Sequence, residues 1–372
     1  MRKKIFLISR CAWTLYNFRA GLMRNLKTKN YTVVGGGDSD DGFGDKIEAM
    51  GVPFKSLPVS KKAISPFADI LLFLTLFKWY RYEKPDIVHH FTIKPVIYGS
   101  LAARLARVPR IINTVTGLGF VFSEKKVTLL RYLVKWLYRL ALRGSHFTFF
   151  LNQDDLNFFL SQGLANAQKT GLLPGEGVDC QFFSPEFVSD SVSEKPITFL
   201  MVSRMLRDKG VFEFVEAARL VKDQFSKVQF QLLGGRDERN PNVISQKDLD
   251  LWHSEGVVAW LGELADVRPV ITKADVVVLP SFYGEGVPRV LLEAAAMGKP
   301  VITTDAVGCR EVVDDGVNGF LVPVKNADAL AQAMTRMIED AEMRRTMGIA
   351  GRKKAEQAFD ERIVIEKILG TY

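Results

Sequence analysis

Val276-Val-Val-Leu-Pro-Ser-Phe-Tyr-Gly-Glu-Gly-Val-Pro-Arg-Val-Leu-Leu-Glu-Ala-Ala-Ala-Met-Gly298 reads as a strand, a glycine-containing loop and a helix in direct succession. The β-branched run Val276 to Pro280 is the strand, and Pro288 suits the first position of the helix. Small residues at Gly284 and Gly286 let a ligand approach the backbone. Gly286, Val287 and Pro288 lead into the amides of Arg289 and Val290, which point from the helix start toward an anion. Glu285 lies in the loop beside any group bound there. Glu293 is flanked by Leu291, Leu292, Ala294 and Ala295, so its carboxylate needs donors to offset desolvation. Sugar hydroxyls are one source and a neighbouring arginine is another.

The same alternation runs outward in both directions. Upstream, strands are expected at Ile5 to Ser9, Tyr31 to Val34, Asp86 to His90, Arg110 to Thr116 and Phe147 to Leu151. Longer helical patterns separate them, which is the signature of a parallel α/β sheet. The pattern breaks at Gly171 to Asp179 and at the polar stretch Ser184 to Pro196, then resumes at Ile197 to Ser203, Val228 to Leu233, Val257 to Leu261, Val276 to Pro280 and Val301 to Thr304. This predicts two Rossmann-like doubly wound domains, 1–190 and 191–358. The patterns at Ala327 to Glu339, Met343 to Phe359 and Glu361 to Leu369 read as closing helices.

In open parallel sheets ligands bind beyond the carboxyl ends of strands. After Ile197 to Ser203 comes Arg204-Met-Leu-Arg-Asp-Lys-Gly210, with Asp208 a candidate helix cap. A cation in a first turn opposes the helix dipole unless a multiply charged anion sits between them, so Arg204 and Lys209 read as a diphosphate clamp. The alternative is a pair of solvated surface charges. Gly234-Gly235, directly after a strand, permits close approach by a nucleotide or forms an ordinary turn.

Composition narrows the function classes. Residues 1–190 hold 26 Lys and Arg against 15 Asp and Glu, net +11, and the rest hold 24 against 27, net −3. The first half therefore expects an anionic partner. Three scattered cysteines, Cys11, Cys180 and Cys309, suggest neither a disulfide framework nor a zinc site, which fits a reducing cytoplasm. The opening Met1 to Arg10 is too short in its apolar part for a secretory leader and reads as a strand. No apolar run approaches the length of a membrane span. No G-x-G-x-x-G follows a predicted strand, which argues against a dinucleotide-dependent oxidoreductase. A nucleic-acid binder would leave the charged residues of the second half without purpose.

Glu285-x7-Glu293, Gly298-Lys-Pro-Val-Ile302 and Glu311-Val-Val-x-x-Gly-x-Asn-Gly-Phe320 together resemble the donor-binding signature of glycosyltransferase family 4, which has the GT-B fold. Arg204-x4-Lys209-Gly210 is similar to that family's diphosphate-binding pair. The Tyr16-Asn-Phe-Arg19 and Thr116-Gly-Leu-Gly119 segments resemble bacterial members that extend undecaprenyl-diphosphate-linked oligosaccharides.

The resemblance implies a retaining enzyme with two domains facing a cleft, a nucleotide-sugar donor, UDP-linked by preference, and a polyprenyl-diphosphate-linked saccharide acceptor. The acceptor belongs to the first domain, and the helix in 359–372 returns to it. Arg204 and Lys209 would stabilise the leaving diphosphate, Glu285 would contact the donor sugar near its reacting carbon, and Glu293 would hold the ribose. Gly234, Gly235, Gly286, Val287, Pro288, Arg289 and Val290 complete the donor site. The chain departs from the family where a His-Gly is usual, since Thr116 stands there. His89 or His90 are nearby candidates for the missing contact, and Arg10 or Arg19 are expected to meet phosphate at the first-strand loop. A UDP-sugar 2-epimerase of the same fold is the nearest rival, and a non-enzymatic binder of anionic surfaces a further one. Asp38-Ser-Asp-Asp41 carries the D-x-D of metal-binding transferases but follows Gly35-Gly-Gly37 in what reads as a solvated loop, so no metal is expected.

Arg131, Lys135, Arg139 and Arg143 recur every four residues in the helical pattern Glu124 to Arg143, among leucines and aromatics. Lys61 to Lys84 is similarly apolar and basic. Such helices suit an anionic membrane surface at the inner face of the cytoplasmic membrane, or simply pack with a solvated basic edge.

Overall fold

The computed structural model describes residues 2–60, 65–117, 129–185, 195–238, 240–284 and 286–372. Two compact units emerge. The first comprises Met1–Glu176, Gly284–Gly286 and Glu361–Tyr372, and the second Gly177–Tyr283 and Val287–Asp360. By packing, the chain leaves the first unit at Glu176, ahead of the boundary expected at 190.

In the first unit, strands β1 (Lys4–Cys11), β2 (Thr32–Asp38), β3 (Phe54–Ser56), β4 (Ile87–Phe91), β5 (Arg110–Val115), β6 (Phe147–Phe150) and β7 (Thr170–Leu172) form one sheet in the order β3-β2-β1-β4-β5-β6-β7. Its pairings are parallel. Helices α1 (Ala12–Thr28) and α2 (Phe43–Ala49) cover one face. The other face carries α3 (Pro66–Glu83), a π-helical turn at Pro95–Gly99 leading into α4 (Ser100–Leu105), then α5 (Leu129–Arg143) and α6 (Gln153–Ser161). Gly35, Gly36 and Gly37 belong to β2 and not to a loop. A Cβ on Gly36 would lie 2.9 Å from Ile8 and 3.1 Å from Trp79, so the neighbouring side chains fill the space left by the missing one. Asp41 in the acidic loop accepts from the amides of Trp13 (2.8 Å) and Phe43 (3.0 Å), which anchors the start of α1, a helix without a side-chain cap of its own.

In the second unit β8 (Ile197–Val202), β9 (Val228–Leu233), β10 (Ala259–Trp260), β11 (Val276–Leu279), β12 (Val301–Thr304) and β13 (Gly319–Val322) give the order β10-β9-β8-β11-β12-β13, again parallel. The helices are α7 (Val211–Lys222), α8 (Gln246–Ser254), α9 (Arg268–Lys273), α10 (Arg289–Ala296), α11 (Ala327–Glu339) and α12 (Ala341–Lys354), the last running into a π-helical turn at Ala355–Phe359. A single core joins Phe199, Phe214, Val277, Leu291, Leu292 and Met334. The last helix, α13 (Glu361–Leu369), packs Val364, Ile365 and Ile368 into the core of the first unit beside Leu15 and Leu22 of α1. No described helix is long and apolar enough to cross a membrane.

Candidate active site

Sheet order locates the candidate site in the second unit. The chain leaves β8 for β9 and β10, then returns to β11 on the other side of β8, so the carboxyl ends of β8 and β11 form the topological switch point. The loops after β8, β9 and β11 are knitted together there. The Met205 amide donates to the Gly235 carbonyl (3.0 Å), and the Phe282 amide to the Asp208 carbonyl (3.0 Å). Glycine is required at two of these contacts. Gly210, at φ 81°, would place a Cβ 2.1 Å from the Pro280 oxygen, and Gly234, at φ 144°, would place one 1.8 Å from the Ser203 oxygen. A Cβ on Gly235 would meet the Glu263 carboxylate at 2.3 Å.

Gly210, in the left-handed region, is the cap residue of α7, and Asp208 is not. Asp208 sits in the 3-10 turn Arg207–Lys209, where its carboxylate accepts from Asn242 Nδ2 at 2.8 Å and ties the β8 loop to the segment after β9. Lys209 is buried, with its Nζ 5.3 Å from the centre of the Tyr283 ring. Arg204 is exposed and has no carboxylate partner among the described residues. Tyr283 and Asn242 were not expected from the sequence. Tyr283 stands in the loop that follows β11, a position that signals a site, whereas nothing local marks Asn242.

Pro288 is the cap residue of α10 rather than its first helical residue, and Arg289 opens the helix. No side chain caps this helix and its first turn holds no acid, so the positive end of the dipole stays available to an anion. Val287 and Pro288 are buried beside it. The Glu293 carboxylate accepts from Arg289 Nε at 2.9 Å, one helical turn back. Of the two donor sources weighed for Glu293, the structure shows the arginine. Burial pushes the Glu293 carboxyl above its ordinary range, and the Arg289 guanidinium pulls it partly back. Glu285 lies outside the described residues. Gly286 packs with the first unit: its carbonyl accepts from Asn152 Nδ2 (3.1 Å), and a Cβ there would meet the Thr116 oxygen at 2.8 Å.

The first-unit candidates fare differently. Arg10 is exposed near the end of β1, at the switch point between β1 and β4, and half-buried Thr116 follows β5. Arg19 does not lie in the loop. It is buried on α1, ion-paired with Glu176 and stacked 4.2 Å from the Phe91 ring centre, so its guanidinium is engaged inside the unit. His90 is fully buried; its Nδ1 meets Asn113 Oδ1 at 3.1 Å and its Nε2 meets the Tyr80 hydroxyl at 3.0 Å. Burial lowers its pKa to about 4, so the ring is neutral at pH 7. His89 is equally enclosed, between Tyr372 (2.6 Å) and Thr114 (2.8 Å). Neither histidine has a ring nitrogen left for a sugar. Leu118 and Gly119 of the Thr116-Gly-Leu-Gly motif lie outside the described residues.

Comparison with known proteins gives the family. Residues 4–146 match the family Glycosyl transferase 4-like, and residues 184–354 match Glycosyl transferases group 1. Over 99% of its length the chain is 30% identical to the N,N'-diacetylbacillosaminyl-diphospho-undecaprenol alpha-1,3-N-acetylgalactosaminyltransferase of Campylobacter jejuni, covering 98% of that protein. It is 29% identical to the UDP-Gal:alpha-D-GlcNAc-diphosphoundecaprenol alpha-1,3-galactosyltransferase of Escherichia coli, over 82% of this chain and 78% of that one. In fold it resembles Anabaena Alr3699/HepE, solved in complex with UDP, with a TM-score of 0.79, 20% identity and 99% of each chain covered. The chain is thus a glycosyltransferase of the GT-B fold and belongs to the group 1, family 4-like glycosyl transferases.

Proposed function

We propose that this enzyme transfers a hexose or N-acetylhexosamine from a UDP-sugar to a polyprenyl-diphosphate-linked saccharide in the assembly of a bacterial surface polysaccharide or glycan. It works at the inner face of the cytoplasmic membrane, with retention of anomeric configuration and without a metal ion. The observation that carries this reading is the end-to-end similarity to a Campylobacter transferase whose acceptor is a diphospho-undecaprenol saccharide. The same similarity favours transfer over epimerisation.

The chemistry asked of the second unit is stabilisation of a departing diphosphate. Buried Lys209, exposed Arg204 and the acid-free start of α10 supply positive charge at the switch point, which supports leaving-group stabilisation by protein cations in place of a metal. In the retaining step the acceptor oxygen bonds to the anomeric carbon as the bond from that carbon to the diphosphate breaks. The acceptor proton passes to the departing phosphate oxygen. Glu293 holds the ribose of the bound donor, giving up part of its ion pair with Arg289 to do so.

The test is incubation of the purified protein with UDP-sugars and a polyprenyl-diphosphate disaccharide in EDTA, reading the product's anomeric configuration by NMR. An α-linked product formed in EDTA is expected. A β-linked product, or transfer only on adding a divalent ion, contradicts the mechanism.

A further inference from the structure

We propose that the first unit enters the lipid bilayer through an apolar ridge made by the N-terminal halves of α3 and α5, and is held by insertion of those side chains instead of by the basic stripe. This rests on the membrane reading above and names the surface that makes the contact.

On α3, Phe67 is 85% exposed, and Ile70, Leu71 and Leu74 are exposed on the same side. On α5, Leu129 is 86% exposed, and Tyr132, Leu133, Trp136 and Leu140 continue the stripe at helical spacing. No residue from Leu129 to Trp136 is fully buried; α5 buries Tyr138, Ala141 and Leu142, with Val134 and Leu137 packed partly buried against the same core. The two helices lie on the same face of the sheet, where α3 covers β1 and β4 and α5 covers β5 and β6. Helices that return a chain to a parallel sheet run against the strands, so both N-terminal halves lie at the edge where the strands end. That edge holds the β1/β4 switch point and Arg10. The outward residues change to Lys78 and Arg81 along α3 and to Arg143 at the end of α5. An apolar leading edge with cations behind it matches acyl chains below anionic headgroups. Exposed large side chains set in this way on two helices that flank the π-helical turn and α4 mark a contact surface.

Two of the four cations of the basic stripe are engaged within the unit. Lys135 Nζ donates to Gln162 Oε1 at 2.7 Å, and Arg139 donates to the Gly163 carbonyl at 3.0 Å and the Gln162 carbonyl at 2.9 Å. These two cations hold α5 against the end of α6.

The full chain is to be cosedimented with vesicles of phosphatidylcholine, with and without phosphatidylglycerol, at low and high salt. Binding is expected to persist at high salt, to weaken roughly tenfold or more in Trp136→Glu combined with Leu133→Glu and in Phe67→Glu combined with Leu71→Glu, and to change less than about twofold in Lys135→Ala. Circular dichroism melts check that the variants fold. Release by salt, no binding of the wild type to either vesicle, or a wild-type dimer that Trp136→Glu splits without altering vesicle binding would overturn the proposal. Transfer to a short-chain polyprenyl-diphosphate saccharide in detergent is read separately. Its absence in the wild type would contradict the proposed function while leaving the vesicle result to stand.

Discussion

The two units share a doubly wound sheet and treat their polar residues in opposite ways. In the second unit, Lys209, Arg204 and the start of α10 gather positive charge at the β8/β11 switch point, with no acid in the helix's first turn. In the first, the most conspicuous polar residues are neutralised inside: Arg19 by Glu176, His90 by Tyr80 and Asn113, His89 by Tyr372 and Thr114. Buried polar groups paired with one another inside a unit read as scaffold. Positive charge gathered at a strand-end switch point reads as a candidate site.

Substitutions can break this contrast, and the largest effect belongs to the scaffold. Arg19→Met leaves Glu176 buried without its partner, so unfolding free energy is expected to drop by about 3 kcal/mol or more in urea titrations while UDP affinity is unchanged. A matching loss of UDP affinity would return Arg19 to the site. Lys209→Ala is expected to keep the fold and lower the transfer rate about a hundredfold; a drop of only a fewfold would make Lys209 a structural residue. Gly210→Ala, with its Cβ driven against the Pro280 oxygen, is expected to cost about 1–3 kcal/mol, read as a lower Tm.

The smallest effect is on pH dependence. His90 in the folded chain takes up its proton only near pH 4, against 6.5 when unfolded, and His89 is lowered as well by burial and by Arg19. Their contribution is therefore present above pH 6.5 and lost as the pH falls below it. Asp155, pushed up to about 6 by burial, holds its proton in the folded state and offsets part of this loss between about pH 6 and 4. A net loss of about 1 kcal/mol between pH 7 and pH 5 is expected in denaturant midpoints, and equal stability at the two pH values would contradict the burial of both histidines.

Strands with a β-branched run or a clear apolar alternation were legible from the sequence, as Val301–Thr304 and Val228–Leu233 illustrate. Phe54–Ser56, Thr170–Leu172 and Gly319–Val322 were not, because three or four residues with glycine or charge among them give no periodic signal. Gly35 to Gly37 read as a loop because glycine usually marks one; here Ile8, Leu57 and Trp79 crowd the space above Gly36. The candidate site of the second unit was legible because its residues lie in the loops that follow strand ends. The fates of Arg19 and His90 could not, since their partners Glu176 and Asn113 are distant in sequence. The four-residue spacing of the α5 cations defined a helix face without revealing that two of them are bound to Gln162 and Gly163.

The central claim is that the second unit binds a nucleoside diphosphate through protein charge. Calorimetric titration with UDP in EDTA, comparing wild type with Lys209→Ala and Glu293→Ala, tests it most directly. Binding that survives EDTA and weakens in both variants is the predicted result. No binding without a divalent ion, or binding indifferent to both substitutions, would contradict it.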